Sequence, residues 1–459
     1  MDARDVSALA LRIQELEKEN ARLKAILDKN GIEYESLESK TYNSNRIEVA
    51  SVSICQFSLQ EKVSIFQSVF QGRDDVFAKR WYSSTTQKSG YQPVCTREWN
   101  REFCDKRKYK CADCPNRQFA PLTYNDVFNH LAGKDVWGRD VIGLYPIRKD
   151  NTCCFLCTDF DDKSCEHGYK NDVLSFVNVC KTWNVPCYIE RSRSGNGAHV
   201  WIFFDMPITA FKARKLGNAI LTEAMNSDVH LSFKSYDRFF PNQDTLPEGG
   251  LGNLVALPLQ GMVRRKGNSV FVDEDFNAYA DQWELLSQIR KLSEVELDML
   301  LRLHTVPTLG ELSKTSEAKP WETPQMDMMQ TDCYPKEIVL TRANMLYIPL
   351  ASLSTKCVNV FKRMAAFRNP EFYEKQGMRL STYNIPRIIS CSEITDDYLV
   401  LPRGCEDAVR AILTQHNVKV LISDKTNHGR SIKVTFRGGL REEQQKAMEA
   451  FAGHNVGTL

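Results

Sequence analysis

The sequence predicts an α+β fold, a split βαβ sheet with helices on one face, followed by a smaller α/β region. Three observations carry this. Between Val63 and Phe276 apolar residues recur now at the two-residue period of strands, now at helical spacing, with frequent Gly and Pro punctuation. The segments there run strand, helix, strand, strand, helix, strand, which is the split βαβ order. Residues 311 to 330 are polar, carry two prolines and lack periodicity, so they read as a linker to a C-terminal part. At 459 residues the chain exceeds one ordinary core, and two or three domains are expected.

In chain order, Leu9, Ile13, Leu16, Asn20, Leu23 and Leu27 are spaced by alternating fours and threes, which lays one seam along a helix. Asn20 in that seam is a device for fixing register in a parallel dimer, so residues 1–35 read as a coiled-coil helix for self-association. A helix packed on its own domain is the other reading. The opening MDARDVSALALRIQELEKEN lacks the apolar centre of a signal peptide, and no apolar run spans a bilayer. A cytoplasmic protein without membrane attachment is expected. Its fifteen cysteines are then not a disulfide framework. The net charge of +2 says little about partners, which leaves local basic patches to speak for them.

Cys95, Cys104, Cys111 and Cys114 lie in CTREWNREFCDKRKYKCADC with eight, six and two residues between them. The closing Cys-x-x-Cys is the chelating half of a structural zinc site, and four thiolates complete a tetrahedral shell. Arg97, Arg101, Lys106, Arg107, Lys108, Lys110 and Arg117 make this knuckle basic, which favours thiolate and suits phosphate. Four ordinary cysteines in a charged loop is the plainer alternative.

Next comes CCFLCTDFDDKSC, an apolar run ending in three acids. As a strand it puts Phe155, Cys157, Asp159 and Asp161 on one side, while Asp162 points away or begins a turn. Carboxylates at i and i+2 at a strand end can chelate one or two hard divalent cations, although two acids on a solvated turn look the same in sequence. Cys153, Cys154, Cys157 and Cys165 read as packing. NDVLSFVNVCKTWNV and TAFKARKLGNAILTEAMN are amphipathic helices. Between them, SRSGNGAHVWIFF reads as a glycine turn entering a strand. Gly195 and Gly197 let backbone N–H groups approach an anion, Ser194 adds a hydroxyl, and His199 heads the strand. Such a turn suits a triphosphate; a structural hairpin is its alternative.

HLSFKSYDRFF reads as a further strand, with Asp237 placed to complete a carboxylate triad. Arg238, Asn242 and Gln243 beside it suit nucleotide or template contacts. Asp244 is a rival ligand, but Pro241 and Pro247 around it suggest turn chemistry, so Asp237 is preferred.

These blocks, in this order, resemble the archaeo-eukaryotic primase superfamily, and more closely the primase domain of TOTE conflict systems. GYQPVCTREWN, KCADCPNRQFAPL, TDFDDK, SGNGAHVWIFF and FFPNQDTLPEGGLGNLVALPLQ carry the likeness over roughly residues 70 to 290. The resemblance implies the archaeo-eukaryotic primase fold, with an RRM-like catalytic sheet and a zinc knuckle insertion over residues 95–114. It implies a DNA primase-polymerase in which Asp159, Asp161 and Asp237 hold Mg²⁺ or Mn²⁺. Ser194, Gly195, Gly197, His199 and Arg238 would bind the nucleotide, and the four cysteines would hold structural Zn²⁺. Template and primer DNA, nucleoside triphosphates, and helicase and nuclease proteins are the implied partners. Arg264, Arg265 and Lys266 form a basic run suited to a template backbone or to a solvated hairpin tip.

Expected domains are the helix at 1–35, the primase-polymerase domain at 60–310, the linker at 311–333 and an accessory region at 334–459. Near the end, FRGGLREEQQKAMEAF resembles the segment of superfamily-two helicases that carries an adenine-reading glutamine, here Gln444. An ordinary polar helix face is its alternative. No G-x-x-x-x-G-K-[ST] occurs, so the motor is expected to be absent, through truncation or a split gene. Two rivals stay open: a metal-dependent nuclease or phosphoesterase, and an inactive zinc-containing DNA-binding adaptor of a helicase system.

Overall fold

The computed structural model describes residues 18–19, 21–22, 57–109, 111, 114–161, 168–228, 231, 238–304, 334–380, 382, 385–427, 429–431 and 433–452. The chain divides into two units, Met1–Ile54 and Cys55–Leu459. In the first, the four described residues are helical and exposed, with an Arg22–Glu19 ion pair at 3.7 Å. The rest of the expected coiled coil lies outside the described residues, as do residues 311–333 of the expected linker.

In the second unit, helix α1 (Leu59–Val69) is started by a capping box between Ser58 and Glu61. Strands β1 (Ala78–Tyr82) and β2 (Ser89–Pro93), helix α2 (Tyr124–Ala132) and strand β3 (Ile142–Leu144) follow. The central run is β4 (Thr152–Asp161), α3 (Tyr169–Thr182), β5 (Tyr188–Arg191), β6 (Gly197–Thr209), α4 (Ala210–Ser227) and β7 (Phe239–Phe240). Then come β8 (Val255–Ala256), the one-turn helix α5 (Gly261–Arg264), β9 (Val270–Val272), α6 (Gln282–Ser287) and α7 (Glu294–Leu303).

Two sheets result. One has the order β2-β1-β3-β8; the other has the order β7-β4-β6-β5-β9, with every neighbouring pair antiparallel. Helices α3 and α4 pack on each other and on β4 and β6. Phe160 therefore meets Phe176 of α3, ring centroids 5.9 Å apart, and Leu156 faces Gly217 of α4, where an added Cβ would lie 2.8 Å from its Cδ2. On the opposite face Phe155 packs on Trp201, and Trp201 packs on Phe70 beyond α1. Strand alternation thus sends Phe155, Cys157, Asp159 and Asp161 away from the helices.

Much of the segment expected as a strand around Asp237, residues 232–237, lies outside the described residues; β7 itself is only Phe239–Phe240. Cys153, Cys154 and Cys157 are buried, and burial pushes each thiol up, as expected of packing residues. Among the described residues no helix is long and apolar enough to cross a membrane.

The C-terminal part builds a sheet of its own, from β10 (Glu337–Arg342), β11 (Leu346–Pro349), and three later strands. Helix α8 (Thr355–Met364), the paired strands β12 (Ala366–Arg368) and β13 (Ile388–Ser390), and helix α9 (Pro370–Gly377) lie between. Strands β14 (Glu393–Ile394) and β15 (Tyr398–Leu401), helix α10 (Glu406–Gln415) and β16 (Lys419–Asp424) complete it, with β16 parallel to β10. This part has its own core, around Leu340, Ile348, Phe361, Leu401 and Leu413, yet Ala366 and Ile388 join the first core.

The two parts are tied by buried polar contacts. Asp244 accepts from Nη1 of Arg214 on α4 at 2.8 Å and from Nε2 of Gln376 at 3.2 Å, and Arg387 lies 3.6 Å away. Gln243 donates to Thr382 at 2.7 Å, and Arg387 donates to the carbonyl of Asn242 at 2.9 Å. Asp244 is 8% exposed; burial raises its pKa, but the two guanidiniums more than offset that and hold it low. The aspartate set aside as turn chemistry is thus the centre of an interdomain charge cluster, and Gln243 faces the C-terminal part instead of an open site.

The final helix, α11 (Glu442–Ala452), buries none of its side chains. Gln444 accepts from the Arg441 N–H at 3.1 Å and so caps its own helix.

Candidate active site

The site grows out of three neighbouring strands. Their register pairs Asp159 of β4 with His199 of β6, and His199 with Glu190 of β5. Asp161 pairs with Gly197. These side chains share the face opposite α3 and α4, so the sheet aligns carboxylate, imidazole and carboxylate in one row.

Glu190 is 1% exposed, and a carboxylate so buried needs several donors. It has them: Oε2 receives His199 Nδ1 at 2.8 Å and the Trp201 indole N–H at 3.0 Å, while Ser269 Oγ lies 3.3 Å from Oε1. With Nδ1 bound to a carboxylate, the Nδ1 atom carries a proton. His199 Nε2 then faces Asp159 Oδ1 at 3.6 Å. Burial lowers the imidazole pKa, but the charge and hydrogen bond of Glu190, with the charge of Asp159, outweigh it and raise the value to about 9.

A group raised above its ordinary 6.5 contributes stability that is fully present below about pH 6.5 and is lost as the pH rises through about 9. In metal-free protein the His199 imidazole resonances are therefore expected to titrate near pH 9, and Glu190→Gln should move the midpoint down by more than one unit. A midpoint near 6.5 in the parent would contradict the cross-strand pairing described above.

Arg238 immediately precedes β7. Its carbonyl accepts from the Asp159 N–H at 3.0 Å, which extends the ladder and places its guanidinium at the acid pair. Nη1 lies 2.9 Å from Asp161 Oδ2 and 3.5 Å from Asp159 Oδ2. The cation that mutual repulsion requires beside these acids is, here, Arg238. Asp237, the expected third acid, lies outside the described residues.

The turn between β5 and β6 is held by its own hydrogen bonds. Ser192 N–H donates to the Gly197 carbonyl, Gly195 N–H to the Ser192 carbonyl, and Asn196 N–H to Ser194 Oγ, at 2.9, 3.1 and 3.2 Å. Gly195 adopts φ +84°, and an added Cβ on Gly197 would sit 2.6 Å from the Phe160 carbonyl oxygen. The glycines are thus required by turn and strand geometry. The amides of Gly195 and Asn196 are already engaged, which leaves the Ser194 side chain to meet an anion.

The basic run Arg264 to Lys266, read as a template track or a hairpin tip, is partly tied down within the fold. Arg265 donates to the carbonyls of Ala132 and Gly133, at 3.2 and 2.8 Å. Arg264 lies over the Trp283 ring, 5.9 Å from its centroid.

Cys95, Cys104, Cys111 and Cys114 line one pocket, together with Arg97, Glu98 and Lys106. Burial raises the Cys111 thiol; Lys106 lowers it, and Glu98, Cys104 and Cys95 raise it further, so the sulfurs are near enough to repel as thiolates. Lys106 is paired with Glu98 at 2.5 Å and covers Trp99 at 3.9 Å. Among the described residues no group of three or more His, Cys, Asp or Glu is arranged to hold a metal ion. The donor sets nevertheless suit two ions: four sulfurs around one pocket fit zinc, and paired hard oxygens at Asp159 and Asp161 fit a hard divalent cation.

The family model of the TOTE conflict system Archaeo-Eukaryotic Primase domain matches residues 61–300 of this chain. That span contains the acid pair, the glycine turn, His199 and all four cysteines. Among solved structures, the polymerase domain from Mycobacterium tuberculosis Ligase D in complex with DNA is similar over 53% of this chain and 86% of that one, at 12% identity and a TM-score of 0.30. No curated protein matches the chain.

Proposed function

Because the chain belongs to the archaeo-eukaryotic primase family of TOTE conflict systems, we propose that it is a DNA primase-polymerase, transferring nucleotides from triphosphates to a growing strand on a template. The observation that carries this is the row of Asp159, His199 and Glu190, with Asp161 and Arg238 beside it, on the sheet face opposite α3 and α4.

Asp159 and Asp161 would hold Mg²⁺ or Mn²⁺, with Asp237 as the proposed third ligand. Such an ion, when bound, acidifies a 3′-hydroxyl and polarises the α-phosphate. The chain's own residues then have separate tasks. His199, proton on Nδ1 and anchored by Glu190, presents Nε2 toward the carboxylates, where a triphosphate would lie. Ser194 donates its hydroxyl at the turn, and Arg238 supplies a positive charge that can move from the acids to a phosphate. Fixed donors of this kind act where charge develops as pyrophosphate leaves. The sheet order β7-β4-β6-β5, with α3 and α4 on one side, supports the RRM-like form of the fold.

Protein incubated with a labelled primer on a template, Mn²⁺ and deoxynucleotides should lengthen the primer. Shortening would instead favour a nuclease, and tight DNA binding without nucleotide affinity would favour an inert adaptor.

We assign the cysteine pocket to structural zinc because all four cysteines line it. The purified chain is expected to contain about one zinc per molecule, and Cys111→Ser with Cys114→Ser should remove it and lower the unfolding temperature. A metal-free parent with unchanged stability would refute the assignment.

A further inference from the structure

One cationic patch takes no part in the chemistry above. Arg193, on the turn before Ser194, and Arg80, on β1 of the other sheet, converge on Gly138. A Cβ added there would lie 2.8 Å from Arg193 Nη2 and 3.5 Å from Arg80 Nη1. Gly138 has φ +66°, which favours glycine, and any side chain there would press on the Arg193 guanidinium.

Neither arginine is neutralised by a carboxylate contact. Among the described residues Arg193 makes no ion pair or hydrogen bond, and its Nε is buried without a partner. Arg80 donates only to the Trp137 carbonyl, at 2.6 Å. The nearest acids are engaged elsewhere: Asp140 accepts from Gln260 and from the Asp135 N–H, and Asp135 is paired with Arg139. Burial, then the charge of Arg80, lowers the Arg193 pKa, so the two cations already repel at close range. Two neighbouring cations without a carboxylate partner suit an anion.

Beside them is an aromatic stack. Trp137 lies on Tyr82 with centroids 4.9 Å apart and planes 13° apart, and Arg80 lies 5.8 Å from the Tyr82 ring. Trp137 remains 46% exposed, which leaves a ring surface free for a further partner. Two guanidiniums without a carboxylate partner, next to an exposed aromatic stack, match the phosphate and base of one nucleotide of an unpaired strand. Bases in a duplex are already stacked and cannot use such a platform.

We propose that Arg80, Arg193 and the Tyr82–Trp137 stack form a binding site for single-stranded DNA, leading the template strand to the glycine turn. The choice of occupant rests on the polymerase reading. The track runs from the turn on the catalytic sheet to β1 on the second sheet, an extent that a strand can follow and a lone triphosphate does not need.

The test is fluorescence anisotropy of a labelled oligonucleotide with the full chain, in EDTA and without nucleotides. Trp137→Ala should weaken single-strand binding about ten-fold and leave blunt-duplex binding within about two-fold. Arg193→Gln should reduce the slope of log Kd against log salt by about one. Tyr82→Leu, with an unchanged unfolding temperature as the control for folding, should act like Trp137→Ala. Unchanged single-strand binding in all three variants overturns the proposal. So does an Arg193→Gln protein that loses nucleotide affinity while binding the oligonucleotide normally, because Arg193 would then serve the triphosphate. A parent that binds the strand as described but never extends a primer would sink the polymerase reading and leave this site standing.

Discussion

Replacing Asp159 and Asp161 together with asparagine is expected to abolish nucleotide incorporation while leaving the fold intact. The two carboxylates share one strand face, with Arg238 and His199 set against them. Asparagine keeps the shape and can still accept from Arg238, but it removes the charge that a divalent ion requires. The loss should be on the order of a thousand-fold or more, equivalent to about 4 kcal/mol of transition-state stabilisation. Stability should change far less. The acids are partly exposed, at 22% and 34% of their side-chain surface, and screened pairs of this kind are worth about 1 kcal/mol or less. Primer extension and thermal unfolding on the same preparations separate the two effects. Undiminished extension by the double variant would refute the assignment of these acids.

Asp244→Ala should have the opposite profile, a large loss of stability from a residue that touches no substrate. Removing this carboxylate leaves Arg214, 1% exposed, without its counter-ion and takes an anion from beside Arg387. Arg214 already suffers: burial, then the neighbouring Arg387, lowers its pKa to about 10, and its Nε and Nη2 have no hydrogen-bond partner. It stays charged at neutral pH, so the cost of unpairing it is not avoided by deprotonation. Breaking a buried pair in this way costs about 3–5 kcal/mol. Replacing all three residues by apolar ones, Asp244→Leu, Arg214→Met and Arg387→Met, should recover most of it, since no unpaired charge is then left inside. Chemical denaturation of the full chain gives the comparison. A single alanine variant as stable as the parent would show that the cluster does not hold the two parts together.

What the sequence disclosed follows from how local each signal is. The acid pair was legible because strand alternation needs only consecutive residues, and Asp159 and Asp161 do share a face with Phe155 and Cys157. Helices α3 and α4 were legible for the same reason, through their own periodicity. Glu190 was not, because its role depends on pairing with His199 across a turn and on Trp201 and Ser269 converging on it. Nothing in YIERS marks that glutamate as buried. Arg80 and Arg193 are separated by most of the first sheet and by β4, so no pattern joins them. Asp244 was misjudged for a related cause: its prolines do describe a turn, but its partners come from helix α4 and from the C-terminal part. The second sheet escaped notice because β3 and β8 are three and two residues long.

The pairing of β4, β6 and β5 also limits the kinds of sequence change this chain can absorb. Side chains on a strand alternate, so deleting one residue early in β6 would turn Ala198 to the site and His199 to the helices. The same slip would exchange Trp201 and Phe203 with their neighbours and break the aromatic core beneath. Point substitutions can remove a site residue and spare the core, or the reverse; a change in length removes both. Descendants of this chain can therefore vary these strands in composition but hardly in length, and viable insertions should gather in loops that carry no cross-strand pair.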